Sequence, residues 1–195
     1  GGSGISMGVI EAFRSLRKSN EYLELAHRID KDTSGCLIIA KSRLALSKIG
    51  ESLQSNQVKK TYVALVKGHW PKGKSKVNAP LKKNTLLSGE RIVKVDKLGK
   101  RSVTNFEITE KYENTTLLKI NLETGRTHQI RVHCQFSSMP IVGDEKYGDT
   151  VFNSTMKNFG VKRMFLHASK LKFKHPSQRF ILDVMSPLPD DLQLI

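Results

Sequence analysis

"SVTNFEITEKYENTTLLKINLE", residues 102–123, decides the fold class. Phe106 and Ile108 alternate with Asn105, Glu107 and Thr109, and Leu118 and Ile120 alternate with Lys119 and Asn121. A repeat of two is the period of a half-buried strand. The short "EN" connector at 113–114 makes the two runs antiparallel neighbours. Upstream, "ERIVKV" (90–95) carries the same alternation, and "DKLGK" (96–100) is expected to join it to them as a third consecutive antiparallel strand. "KKTYVALVKG" (59–68) is rich in β-formers and stops at glycine, and a basic loop with Pro71 and Pro80 follows it. "CLIIA" (36–40) reads as a buried strand, and "MFLHASKLKFKHP" with "RFILDVMSP" gives two more strands around the turn "HPSQ".

Helical periodicity occurs in three places. Residues 7–17 set Val9, Phe13 and Leu16 on one face, 43–56 do the same with Leu46, Ile49 and Leu53, and a third helix is expected near Thr127, with Thr127 as its N-cap. Strands outnumber helices and their links are short. The expected class is α+β, a mixed, largely antiparallel central sheet with flanking helices.

The chain has 195 residues and is 38% hydrophobic, enough for one sizeable core. Cys36 and Cys134 stand far apart without a CxxC pairing, and no apolar run approaches the roughly 20 residues of a membrane span. The opening "GGSGISMG" has neither the basic nor the apolar region of a secretion signal. These features predict a cytoplasmic protein with no membrane partner. The 33 Lys and Arg against 18 acids give a net charge of +15, with local clusters at "KGKSK" (72–76) and "KK" (82–83). A basic excess spread over a folded domain predicts a nucleic-acid partner, whereas the plainer reading is a soluble basic surface.

Several chemistries lack support. His128 and His133 point to different sides of a helix, and there is no HExxH or Cys/His cluster, so no metal is expected. "GGSG" has neither the Lys-Ser/Thr of a P-loop nor the setting of a dinucleotide fingerprint, and no cofactor is expected. Asp30 and Asp32, in "HRIDKDTSG" (27–35), could be the acid and base of a glycosidase, but Lys31, Thr33, Ser34 and Gly35 favour a turn, with Asp32 as a turn or cap residue. In "LETGRTHQIRVH" (122–133), two arginines and two histidines gather at a helix start; a solvated basic face is the plainer reading.

"HRIDKDTSGCLIIAK" and "GRTHQIRVH" together resemble the two signature motifs of the RluA-type pseudouridine synthases. "KKTYVALVKG" resembles the family's intervening tyrosine strand, and "FLHASKLKFKHP" its closing motif. The likeness runs from residue 1 to about 188 in the family's order, and "LLSGERIVKVDKLGK" (86–100) resembles the branch that modifies large-subunit (23S) ribosomal RNA. The resemblance implies an RNA isomerase that works without metal or redox cofactor, with ribosomal RNA as partner, as a monomer. Residues 1–195 would be the catalytic domain, shortened at its N-terminus and without the S4 RNA-binding domain of that branch.

Roles follow from the same likeness. Asp30 matches the single required aspartate, which either attacks the ribose C1′ or removes the 2′ proton to give a glycal. Arg131 matches its basic partner, and an opposite charge favours an ionised carboxylate. Tyr62 matches the tyrosine that stacks on the target uracil, Leu166 the apolar wall under the base, and Arg28 the residue that enters the helix when the nucleotide flips out. His27, His128 and Gln129 are expected to touch the RNA or to support the residues that do, and Arg126 is a further RNA contact. Period two places Tyr62 and Ala64 on one face of their strand, so the tyrosine need not belong to the main core. Two other classes compete, a noncatalytic RNA-binding module and a hydrolase that releases uracil. The pseudouridine synthase reading requires Asp30 and Arg131 within about 4 Å, Tyr62 beside them, and Arg28, Arg126 and the basic residues of 72–83 on the same cleft.

Overall fold

The computed structural model describes residues 8–17, 21–85 and 91–193. The glycine-rich opening, residue 7 of the first expected helix and residues 86–90 of the 86–100 motif lie outside the described residues. In chain order the elements are α1 (Val9–Ser15), β1 (Glu24–Leu25), β2 (Ser34–Gly35), β3 (Ile39–Ala40), α2 (Arg43–Gln54), β4 (Lys59–Lys67), β5 (Lys76–Asn78) and β6 (Leu81–Thr85). There follow β7 (Arg91–Val95), β8 (Val103–Lys111), β9 (Thr115–Leu122), α3 (Gln129–Phe136), α4 (Thr150–Asn158), β10 (Leu166–Lys174) and β11 (Ile181–Met185). The class is α+β, as expected.

β8 and β9 form the expected antiparallel hairpin, with Phe106 opposite Ile120 and Ile108 opposite Leu118. A seven-stranded sheet grows from it in the order β11-β10-β4-β9-β8-β5, and β2 adds to β10 as its parallel member. β4 is central, so both its faces are covered. Tyr62, Ala64 and Val66 join Phe106, Leu118, Ile120 and Ile130 in the main core, while Leu65 packs on the other side with Val142, Met156 and Phe165. Alternation along β4 therefore holds, and the face carrying Tyr62 is that of the main core. The tyrosine sits at the edge of that core.

Four local expectations are corrected. β7 does not extend the β8–β9 hairpin; it pairs with β6 in a separate ribbon, Leu81 opposite Val95. The 96–99 turn, closed by the Gly99 amide donating to Asp96, folds the chain back, and Leu81 and Val93 bury against Val132 and Tyr147 instead of the main core. The supposed basic loop thus contains β5 and β6, whose exposed lysines hide the strand pattern. In α1 the stripe of Val9, Phe13 and Leu16 is 53%, 44% and 85% exposed, and Ile10 is the buried residue. Periodicity defines a stripe but not what it packs on. Finally, α4 is added: in "TVFNSTMKN" Val151, Phe152 and Met156 are set among short polar residues, and Met156 is the one buried, while Asp149 caps the helix by accepting from the Phe152 amide.

"CLIIA" is not one strand; only its last two residues, Ile39–Ala40, are a strand, and a separate short pairing precedes it. The chain runs beside β10 at Ser34–Gly35, where the Cys36 amide donates to Ala168, and then leaves to pair Ile39–Ala40 with β1. Gly35 permits this close approach. Its φ is +108°, and a Cβ there would lie 2.2 Å from the Ala168 carbonyl oxygen.

Candidate active site

The loop before β2 presents Asp30. The Thr33 amide donates to the Asp30 carbonyl at 3.0 Å, closing a turn that leaves Lys31 and Asp32 exposed and buries Thr33. The far end of the loop is tied to β10, since Ser34 Oγ and His167 Nδ1 lie 2.9 Å apart and Arg163 also donates to Ser34 Oγ. Asp32 is a turn residue. Asp30, in contrast, has a side chain only 19% exposed, which looks across to α3.

There Arg131 Nη1 donates to Asp30 Oδ2 at 3.3 Å, so residues a hundred positions apart meet as expected. Its stronger partner escaped the sequence. Arg131 Nε and Nη2 donate to Asp144 Oδ2 and Oδ1 at 2.7 and 2.8 Å, a two-pronged bond to a fully buried carboxylate. Asp144 Oδ1 also accepts from the backbone amides of Lys146 and Tyr147, and the guanidinium stacks 5.0 Å from the Tyr147 ring centre. Burial by itself would lower the Arg131 pKa and raise that of Asp144; their mutual bond outweighs it and drives each toward its charged form. Asp144 orients the guanidinium, and the free edge of the guanidinium faces Asp30. The sequence signal for Asp144 was the acid-rich "GDEKYGD" (143–149) in a basic chain.

His128 completes the group. It begins α3 in the left-handed region at φ 53° without a side-chain cap, so Thr127 is not the N-cap. The turn is instead closed by Gln129, whose Oε1 accepts from the Thr124 hydroxyl and the Arg126 amide, while Nε2 donates to the Val103 carbonyl and Thr104 Oγ1. All of the Gln129 amide is spent on this support. His128 Nδ1 is 2.8 Å from the Tyr147 hydroxyl, which accepts from the Val93 amide, and Nε2 is 3.9 Å from Asp30 Oδ1.

Asp30, His128, Gln129 and Arg131 line an open cleft of about 540 Å³ that also includes His27, Arg28, Lys60, Tyr62, Arg126 and Leu166. Every site residue expected from the sequence therefore borders one cavity, Gln129 included. Tyr62 is almost wholly buried, and burial first, then the Asp30 charge, pushes its phenol up to about 12. His27 is turned to the backbone, Nε2 accepting from the Ile38 amide at 3.1 Å. Arg28 is exposed on the rim, and Arg126 Nε donates to the Arg101 carbonyl.

The expected basic surface is narrower than 72–83. Lys82 and Lys83 line an adjoining hollow of about 400 Å³ that shares Gly125, Arg126 and Thr127 with the cleft. Lys76 is drawn to Glu123 at 2.7 Å and Lys74 lies over the Trp70 ring, while Lys72 borders neither space. An ion pair diverts Lys76 and the Trp70 ring diverts Lys74.

Burial lowers the pKa of His27, His128 and His133; the last is fully enclosed between Thr104 Oγ1 and the Ala79 carbonyl. The unfolded chain then binds protons the native state refuses, so stability present above the ordinary histidine value of about 6.5 is lost as pH falls through it toward the folded values. Urea unfolding at about pH 7.5 and 5.5 is expected to give the lower midpoint at the acid pH. An unchanged midpoint would mean that these rings titrate freely.

Residues 11–136 match the sequence profile of the family described as RNA pseudouridylate synthase. The chain is 50% identical over 195 residues to ribosomal large subunit pseudouridine synthase C of Haemophilus ducreyi, covering 100% of this chain and 61% of that protein. It is 47% identical to the protein of the same name from Escherichia coli K12, covering 99% and 61%. The chain thus spans about three-fifths of the length of these relatives. Among solved structures, human RNA pseudouridylate synthase domain containing 1 superposes with a TM-score of 0.75 at 26% identity, over 92% of this chain and 75% of that one. With a family profile matched across most of its length and half its residues shared with named members, the chain belongs to the RNA pseudouridylate synthase family, in its RluA-type branch.

Proposed function

We propose that the chain isomerises uridine to pseudouridine in large-subunit ribosomal RNA, with Asp30 as the catalytic carboxylate. One observation carries the assignment: Asp30 meets the Asp144-anchored Arg131 inside a cleft walled by Tyr62 and Leu166. In the reaction the N1–C1′ bond breaks, the C5–C1′ bond forms, C5 loses a proton and N1 gains one. Asp30 serves either by attacking C1′ or by taking the 2′ proton, and Arg131 holds its carboxylate toward the ribose. Tyr62, with a raised pKa, rests as a neutral phenol under the base. Its part in moving the C5 proton is then that of a relay, giving up its own proton as it accepts one. Leu166 supplies apolar contact, and Arg28 on the rim fills the gap left by a flipped nucleotide.

The hydrolase reading needs a second working carboxylate. Among the described residues Asp32 lies in an exposed turn, both oxygens of Asp144 are already bonded, and Glu123 at the cleft border is held by Lys76, Arg101 and Asn105. A noncatalytic RNA-binding module has no use for a carboxylate directed at an anchored arginine in a basic cleft. Carbodiimide labelling of a large-subunit ribosomal RNA transcript after incubation with the chain is expected to reveal alkali-stable pseudouridine adducts with no free uracil. Released uracil would favour the hydrolase, and unmodified but bound RNA the binding module.

A further inference from the structure

Lys60 has no assigned part in the reaction, yet it stands in the cleft. It lies two residues before Tyr62 on β4, so period two turns both side chains to the same face, and both line the cavity. The ammonium reaches the opposite wall, since its Nζ is 3.0 Å from where a Cβ at Gly125 would stand. Among the described residues it makes no hydrogen bond or ion pair. Neighbouring lysines differ, because Lys76 holds Glu123 and Lys82 lies near Asp96. Glu123 also borders the cleft but is occupied by Lys76, Arg101 and Asn105.

Burial lowers the Lys60 pKa, and the ammonium in turn helps to lower that of His27 beside it. A partly desolvated cation without a counter-charge is costly, and an anion entering the cleft relieves that cost. RNA carries such an anion at every nucleotide. Two residues along a strand span about 6–7 Å, a distance on the scale of one nucleotide, so the ammonium is within reach of the backbone of a base resting on Tyr62.

We propose that Lys60 is a phosphate-binding residue that grips an RNA backbone phosphate of the nucleotide held in the cleft. The identity of that nucleotide rests on the pseudouridine synthase reading; the anion contact rests on the placement of Lys60. The test compares Lys60→Met, Lys60→Arg and, on the exposed opposite face of β4, Lys59→Met. Each is measured for binding to a large-subunit ribosomal RNA transcript between about 50 and 200 mM salt, with thermal unfolding in parallel. Lys60→Met is expected to weaken binding about tenfold at low salt and to reduce the slope of log affinity against log salt by about 0.7, the value for one single-strand phosphate contact. Lys60→Arg should recover most of both, and Lys59→Met should change neither. The unfolding midpoint of Lys60→Met should not fall. An unchanged slope, an equal effect of Lys59→Met, or weaker binding accompanied by a lower midpoint would overturn the proposal. Wild-type chain that binds RNA with the expected slopes but yields no carbodiimide adducts would leave the phosphate contact standing and overturn the isomerase reading instead.

Discussion

Asp30→Asn is expected to reduce pseudouridine formation by roughly 10³-fold or more, with RNA affinity and unfolding midpoint close to wild type. The substitution keeps size and the oxygen that accepts from Arg131, but an amide neither attacks C1′ nor takes a proton from C2′. The fold should not suffer, because Arg131 remains held by the two-pronged bond to Asp144. Asp32→Asn, at an exposed turn position, is the matched control and should cost little. Single-turnover measurement on a ribosomal RNA transcript separates the two variants. Turnover near wild type in Asp30→Asn, or an equally inactive and folded Asp32→Asn, would overturn the assignment of the carboxylate.

Asp144→Ala should damage both stability and activity. It removes the two-pronged partner of the Arg131 guanidinium, whose side chain is only 9% exposed, leaving it the single longer bond to Asp30, and frees the amides of Lys146 and Tyr147. Removing one partner of a buried pair costs about 3–5 kcal/mol, readable as a lower urea midpoint at constant slope. Arg131→Ala takes the guanidinium from the buried Asp144 carboxylate in turn, so it should lower stability as well as activity. The double variant Arg131→Leu/Asp144→Leu removes both charges and should be more stable than either single alanine variant, yet remain inactive. Additive destabilisation in the double variant would mean that the pair is not coupled. Full activity in a folded Asp144→Ala would mean that Arg131 needs no anchor.

The longer strands of the central sheet, β4, β8, β9 and β10, were legible because each has a two-residue period and a turn at its end, whereas the three-residue β5 was not. Phe106, Leu118 and Ile120 could be placed inward by alternation alone, and they are buried. The same rule missed β6, where one buried leucine is followed by exposed lysines, and misplaced β7, whose alternation is real but serves the small cluster around Tyr147. Period says which face a residue occupies. It does not say which neighbour that face meets.

The site divides in the same manner. The resemblance carried by two short motifs picked out Asp30 and Arg131, and that of the strand between them Tyr62, while local turn chemistry marked the turn around Asp32. Only the tertiary structure decided that Arg131 is shared with Asp144, that Gln129 is consumed in holding its turn, and that Lys60 enters the cleft while Lys76 is drawn to Glu123. Each of these outcomes is a competition between partners distant along the chain. Propensity and spacing act over a few residues, whereas the burial of a charge and the choice of its counter-ion are settled by whatever the sheet brings within about 4 Å.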